Sequence, residues 1–257
     1  MKPKKSLGQN FLTSIPARNA IVKAGNIVKD DTILEIGPGK GMLTEKLLES
    51  EAKVIAVEKD TNLITYLSEK FADKIKNKQF ILINEDILKY SADKIKGEYK
   101  IVANIPYNIT GAIMEKFLSD KKQPSEMVLL VQKEVAERIV ARDEKESILS
   151  LSIKVYGEPK IVYRVNKGSF FPIPKVDSAV IHIKNISKSN FKSKKHEERF
   201  FEIVKVGFSH KRKVLISNLK GKFEKVDWKD VFLNNNLDEK TRAEDVNLKD
   251  WLNISNF

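Results

Sequence analysis

The sequence predicts an α/β chain: a mainly parallel sheet flanked by helices, closed by an antiparallel edge and followed by a small helical domain. Three observations carry this. Short apolar runs alternate with helical spacing through about residue 140, the pattern of βαβ units joined by right-handed crossovers. A glycine-rich turn follows the first of those runs. Around residues 187–196 the texture changes to the polar, basic SKSNFKSKKH, which reads as a linker.

Residues 32–36 (TILEI), 53–57 (KVIAV), 80–84 (FILIN), 100–103 (KIVA) and 127–131 (MVLLV) are almost continuously apolar, as strands covered on both faces are. Between them, Leu43, Leu47 and Leu48, then Leu63, Leu67 and Phe71, then Ile113, Phe117 and Leu118 share helical faces. Residues 161–165 (IVYRV) and 179–183 (AVIHI) alternate like late strands joined by a proline-containing loop. Beyond the linker, helical spacing returns at Phe200, Phe201, Val204 and Phe208, at Val214, Leu215 and Leu219, at Trp228, Val231 and Phe232, and at Leu248, Trp251 and Leu252. The expected division is a catalytic domain over 1–186 with a basic amino-terminal arm, and a helical, basic domain over 187–257.

Composition narrows the chemistry. Of 257 residues, 41% are hydrophobic, enough to bury a core. There is no cysteine, which excludes disulfides, cysteine nucleophiles and thiolate metal sites and fits a reducing, cytoplasmic setting. His182, His196 and His210 are scattered without paired metal spacing, so no metal is expected. The start, MKPKKSLGQNFL, is basic but no apolar h-region follows, so no secretory signal is expected. No run approaches the length of a membrane span. Lys and Arg total 47 against 35 Asp and Glu, a formal net charge of +12, which points to a polyanionic partner, nucleic acid first. The charge is uneven: Lys188–Lys225 carries 12 basic and 4 acidic residues, and the rest of the tail 4 basic and 7 acidic.

The sharpest local motif is Glu35-Ile36-Gly37-Pro38-Gly39-Lys40-Gly41, directly after the first strand and opening a helix. Glycines let the backbone turn tightly and approach a ligand, and free N–H groups at a helix start favour an anionic group. A dinucleotide fingerprint would be G-x-G-x-x-G, but Met42 stands where its third glycine belongs. That departure favours S-adenosylmethionine over a dinucleotide, with Gly37 and Gly39 as cofactor contacts. Glu58, ending the second strand, is placed to accept from both ribose hydroxyls; this suits a nicotinamide cofactor equally. Asp86, just after the third strand, reads either as a cap or as the acceptor for the cofactor's adenine amine.

After the fourth strand comes Asn104-Ile105-Pro106-Tyr107. The N6 lone pair of adenine is delocalised into the ring, so the amine is a poor nucleophile. An amide oxygen and a nearby backbone carbonyl, here Asn104 with Ile105 or Pro106, can accept its two hydrogens and turn the lone pair toward a methyl sulfonium. Tyr107 offers a ring on which an extruded base can stack. In Phe170-Phe171-Pro172-Ile173-Pro174-Lys175-Val176-Asp177-Ser178-Ala179-Val180, two prolines stiffen a loop. Here Phe170 is expected over the opposite face of the base and Phe171 in the core.

Together these segments, with Lys5-Ser6-Leu7-Gly8-Gln9-Asn10-Phe11-Leu12, ILEIGPGKGMLT (33–44), NIPYNI (104–109) and HKRKVLISNL (210–219), resemble the KsgA-type ribosomal RNA small-subunit adenine dimethyltransferases over nearly the whole chain. The resemblance implies a Rossmann-like S-adenosylmethionine-dependent methyltransferase domain and a small helical carboxy-terminal domain. It implies dimethylation of N6 on two adjacent adenines near the 3′ end of small-subunit rRNA, on a pre-30S particle, by a monomer. By resemblance, Asn10 and Leu12 contact the cofactor with Gly37, Glu58, Asp86 and Asn104. The chain departs from the family's usual Leu at Ile105, Ser at Thr110, Thr at Gly111, and Arg pairs at His210-Lys211-Arg212-Lys213. The first three lie on the substrate side and leave methyl count and rate open. Lys2, Lys4, Lys5 and the Lys188–Lys225 stretch are the expected phosphate contacts. The competing readings are an Erm-type large-subunit adenine methyltransferase, a ribosome-assembly factor whose methylation is secondary, and a nicotinamide oxidoreductase, against which Met42 and NIPY count.

Overall fold

The computed structural model describes residues 3–4 and 7–256; Lys2, Lys5 and Ser6 of the basic arm lie outside the described residues. Contacts divide the chain into two compact units, Met1–Ala136 with Gly157–Ile186, and Glu137–Tyr156 with Ser187–Phe257.

The first unit opens with a two-residue strand, β1 (Phe11–Leu12), and helix α1 (Ile15–Ala24). Ser14 caps α1 by accepting from Ala17 N–H. Then follow β2 (Thr32–Ile36), α2 (Met42–Glu49), β3 (Lys53–Glu58), α3 (Thr61–Lys70), α4 (Ala72–Lys76), β4 (Phe80–Asn84), β5 (Lys100–Asn104), α5 (Thr110–Ser119) and β6 (Glu126–Gln132). Helix α6 (Lys133–Ile139) leads out of the unit and α7 (Ile148–Lys154) lies in the second one. The chain returns with β7 (Glu158–Val165), β8 (Phe170–Phe171) and β9 (Ser178–Lys184).

The main sheet has the order β4-β3-β2-β5-β6-β9-β7. Strands β4 through β6 run parallel, and β9 is antiparallel to both β6 and β7. All seven sequence-read strands are present. The central ones are buried on both faces, with Ile33, Leu34, Val54, Ala56, Ile101, Val102 and Leu129 fully enclosed, because helices cover the parallel sheet on each side. From β2 the chain winds outward to β4, then restarts at β5 on β2's other flank. The carboxyl ends of β2 and β5 therefore diverge into a crevice, the place where open α/β sheets take ligands.

A second, two-stranded sheet pairs β1 with β8, Phe11 opposite Phe171 and Leu12 opposite Phe170. Alternation along β8 sends its two rings in opposite directions. Phe170 is only 2% exposed and packs in the core with Leu12, Ala17 and Ile21, whereas Phe171 is 56% exposed. Phe170, expected to be an open stacking ring, is therefore a core residue, and Phe171, expected in the core, is the exposed one.

The second unit contains α7, α8 (Lys194–Gly207), α9 (Leu215–Lys220), α10 (Trp228–Asn234) and α11 (Leu248–Ile254). Its core centres on the fully buried Trp228 and Trp251, with Phe208 stacked on Trp251 at 5.7 Å between ring centroids. Residues 137–156 join this unit rather than the sheet, where the sequence placed everything before 187 in one domain. The linker reading of 187–196 also stops short. Ser193 caps α8 by accepting from His196 N–H, and the Phe191 ring meets Phe200, Phe201 and Tyr156. Between α8 and α9 runs the loop with Lys211, Arg212 and Lys213, all exposed. The buried Asn218 ties its first half down, its Nδ2 donating to Gly207 O at 2.6 Å and His210 O at 3.3 Å. Among the described residues, no helix is long and apolar enough to cross a membrane, and no group of three or more His, Asp or Glu could hold a metal ion.

Candidate active site

A cavity of about 300 Å³ occupies the crevice of the first unit. Its lining includes Asn10, Leu12, Gly37, Gly39, Glu58, Asp86, Asn104 and Tyr107, and Phe171 but not Phe170. Residues 7–13 of the amino-terminal arm form one wall, the glycine turn a second and the Asn104–Ile109 segment a third.

The glycine turn is built by sterics. Gly37, Gly39 and Gly41 all have φ between 59° and 77°, the left-handed region that other residues enter at a cost. A Cβ on Gly39 would stand 2.9 Å from the Phe11 ring, and one on Gly41 2.6 Å from Phe71. At Gly37 a Cβ would meet no atom within 4 Å, so this backbone faces open space.

Glu58 is 6% exposed, and its carboxylate accepts from Gly39 N–H at 3.3 Å and Asp60 N–H at 2.9 Å. Burial pushes its pKa up, and those backbone donors oppose the shift. These backbone donors leave acceptor lone pairs on the carboxylate free for hydroxyl donors. Asp86 accepts from Lys59 Nζ at 2.8 Å and Leu88 N–H at 3.0 Å; the ammonium first, then the N–H, hold its carboxyl below the usual range. It caps a turn, so the cap reading is realised beside a position in the lining, where the exposed Leu88 offers an apolar surface for a planar ring.

At the end of β5, Asn104 Nδ2 donates to Asn10 O at 3.1 Å. That bond fixes which way the amide faces: its nitrogen is spent on the arm, and its oxygen remains to accept. Tyr107 follows in a 3-10 turn behind Pro106. Its hydroxyl pairs with the buried Ser178 Oγ at 2.7 Å, and burial raises the phenol's pKa. The ring is thus held neutral and oriented from behind by β9.

The arm is tied to β3's end. Lys4 Nζ and Gln9 Nε2 meet the two oxygens of Asp60 at 2.6 and 3.0 Å, and Asp60 is 4% exposed. Lys4, expected on a phosphate, is committed to this carboxylate instead. Sequence reasoning also missed Glu35, which lines the cavity 1% exposed and accepts from Thr44 Oγ1 at 2.7 Å. Burial pushes its carboxyl up to about 8. The available signal was one acid inside the apolar run TILEI.

A profile of ribosomal RNA adenine dimethylases matches residues 1–257. The chain belongs to the ribosomal RNA adenine dimethylase family. Two curated members are named ribosomal RNA small subunit methyltransferase A. One, from Dehalococcoides mccartyi, is 44% identical over 222 residues, 85% of this chain and 75% of its own. The other, from Fusobacterium nucleatum, is 39% identical over 257 residues, 98% of this chain and 96% of its own. Among solved structures, a dimethyladenosine transferase from Plasmodium falciparum superposes with a TM-score of 0.79 at 26% identity, covering 95% of each chain. The 23S rRNA methyltransferase ErmE gives a TM-score of 0.79 at 24% identity, covering 96% of this chain and 98% of its own, a likeness of fold alone. This dimethylase is therefore an S-adenosylmethionine-dependent enzyme acting on rRNA adenine. The cavity fits that methyl donor: buried acceptors for hydroxyls at Glu58, an apolar shelf at Leu88 and an open glycine backbone.

Proposed function

We propose that the enzyme dimethylates N6 of two adjacent adenines in the 3′-terminal hairpin of small-subunit rRNA, on a pre-30S particle in the cytoplasm, as a monomer. The names of the relatives at 39–44% identity favour this over the Erm-type alternative. The observation that carries the mechanism is the Asn104–Asn10 hydrogen bond.

In this reading Gly37, Gly39, Glu58 and Asp86, with Asn10 and Leu12, hold S-adenosylmethionine, whose sulfonium supplies an electrophilic methyl carbon. Asn104 Oδ1 accepts one N6 hydrogen and the Ile105 or Pro106 carbonyl the other. The amine nitrogen is drawn out of conjugation and its lone pair is aimed at the methyl group. Tyr107 stacks beneath the flipped base. Phe171, exposed on the cavity rim, takes the opposite face in place of Phe170. The group at 104 orients and accepts; the proton leaves once nitrogen has become cationic. The helical unit, with its exposed Lys211, Arg212 and Lys213, supplies phosphate contacts.

The test uses small-subunit particles from cells lacking the enzyme, labelled cofactor and primer extension. Wild-type protein should block extension at two adjacent adenines. Asn104→Ala should slow transfer by about 100-fold or more, as loss of one preorganised polar group does, while RNA binding stays within threefold. Label in large-subunit RNA, or unchanged turnover by Asn104→Ala, defeats the proposal. Restored assembly by the inactive variant would favour the assembly-factor reading.

A further inference from the structure

Buried carboxylates are normally paired with a cation. Glu35 and Glu58 both line the cavity, at 1% and 6% exposed, and among the described residues neither has a Lys, Arg or His within ion-pair distance. The nearby cations are engaged elsewhere. Lys59 bonds Asp86, Lys4 bonds Asp60, Lys94 pairs with Glu85, and Lys40 Nζ stands over the Phe11 ring, 5.2 Å from its centroid. The groups that meet the Glu35 carboxyl are the Thr44 hydroxyl and backbone from α2, and the Glu58 charge from β3. Asn104 from β5, in the same lining, is neutral. The cavity thus keeps two acids together with no counter-ion among the described residues.

Methyl transfer changes the cofactor's charge. The S–CH3 bond breaks, its electron pair stays on sulfur, and a cationic sulfonium becomes a neutral thioether; the N6–CH3 bond forms and N6 loses a proton. We infer that Glu35 makes the cofactor cavity charge-selective: it releases its proton when S-adenosylmethionine binds, and so favours that cation over the product S-adenosylhomocysteine. The missing partner of the acid pair is the ligand. After transfer the positive charge is gone, Glu35 takes its proton back, and the product's hold loosens.

Titration calorimetry on the full-length enzyme, without RNA, reads this directly. Both ligands are titrated at pH 6.5 and 8.5, in buffers of different ionisation enthalpy, with wild type and Glu35→Gln. In wild type, the ratio of the S-adenosylhomocysteine Kd to the S-adenosylmethionine Kd should exceed that in Glu35→Gln by about tenfold at pH 8.5, the scale of one screened charge, and by much less at pH 6.5, where removing the Glu35 proton offsets most of that gain. More protons should be released per S-adenosylmethionine bound by wild type at pH 6.5 than by the variant. Titration of the ligand's own amine is common to both proteins and cancels. Equal ratios at pH 8.5, or equal proton release at pH 6.5, in wild type and Glu35→Gln overturn the inference. If the variant does not fold, the buffer-dependent proton count of wild type still decides: it must be larger for S-adenosylmethionine than for S-adenosylhomocysteine, and equal counts reject the idea. Failure of wild type to bind either ligand would remove the cavity's assignment itself, and the inference with it.

Discussion

Phe170 and Phe171 are adjacent, yet truncating each to alanine should have opposite consequences. The Phe170 ring is 2% exposed among Leu12, Ala17 and Ile21. Phe170→Ala removes a fully buried ring and leaves a cavity, at about 3–5 kcal/mol. For a chain of this size that lowers the melting temperature by on the order of 10 °C. Phe171 is 56% exposed on the cavity rim, so Phe171→Ala should leave melting almost unchanged. It should instead remove one face of the base sandwich, worth ~1–3 kcal/mol per stacked base, which is roughly tenfold or more in transfer from single-stranded adenine substrate. Calorimetric melting and single-turnover transfer with a short hairpin RNA, run on both variants, separate the roles. A Phe170→Ala protein that melts like wild type but transfers slowly would reinstate Phe170 as the stacking ring and refute the reversal argued from β8.

Glu58→Ala should weaken S-adenosylmethionine binding by at least tenfold in calorimetry, since two hydroxyl acceptors are lost; unchanged affinity would remove its ribose role. Burial raises the Glu35 carboxyl from 4.5 to about 8, so the folded protein holds that proton more tightly than the unfolded chain does. Its stabilising contribution is complete below about pH 4.5 and is lost as pH climbs through 8. Glu35→Gln cannot ionise, so its melting temperature should match wild type near pH 4.5 and exceed it at pH 8.5; parallel pH curves would contradict this. Neutralising Lys211, Arg212 and Lys213 together should weaken RNA binding and flatten the log Kd against log salt slope by about 2 to 3, and an unaltered slope would exclude that loop from phosphate contact.

Much of the architecture was legible because its signals are local. Continuous apolar runs marked the five parallel strands of the main sheet, alternation marked β7 and β9, and leucine and aromatic spacing marked α2, α3, α5 and the carboxy-terminal helices. The glycine turn, Glu58, Asp86, Asn104 and Tyr107 were legible because each follows a strand that ends at the same crevice. What was not legible depends on pairing across long separations. Which of two neighbouring phenylalanines faces inward is set by register with β1, and one residue of slip exchanges them. Lys4 read as a free phosphate contact because its partner, Asp60, lies 56 residues away. Residues 137–156 carry ordinary helical sequence, and nothing local marks them as belonging with the unit built after Ser187.

The β1–β8 ribbon bears on how the enzyme matures. Thr13 N–H and Oγ1 both bond Ser169 O, 156 residues further along the chain. One wall of the ligand pocket is therefore held in place by a segment translated 156 residues after it. A nascent chain still lacking β8 owns the glycine turn and Asn104 but not the clasp that steadies the arm beside them. The wall at residues 7–13 is consequently complete only once the Phe170–Phe171 strand has been made and has paired with Phe11–Leu12.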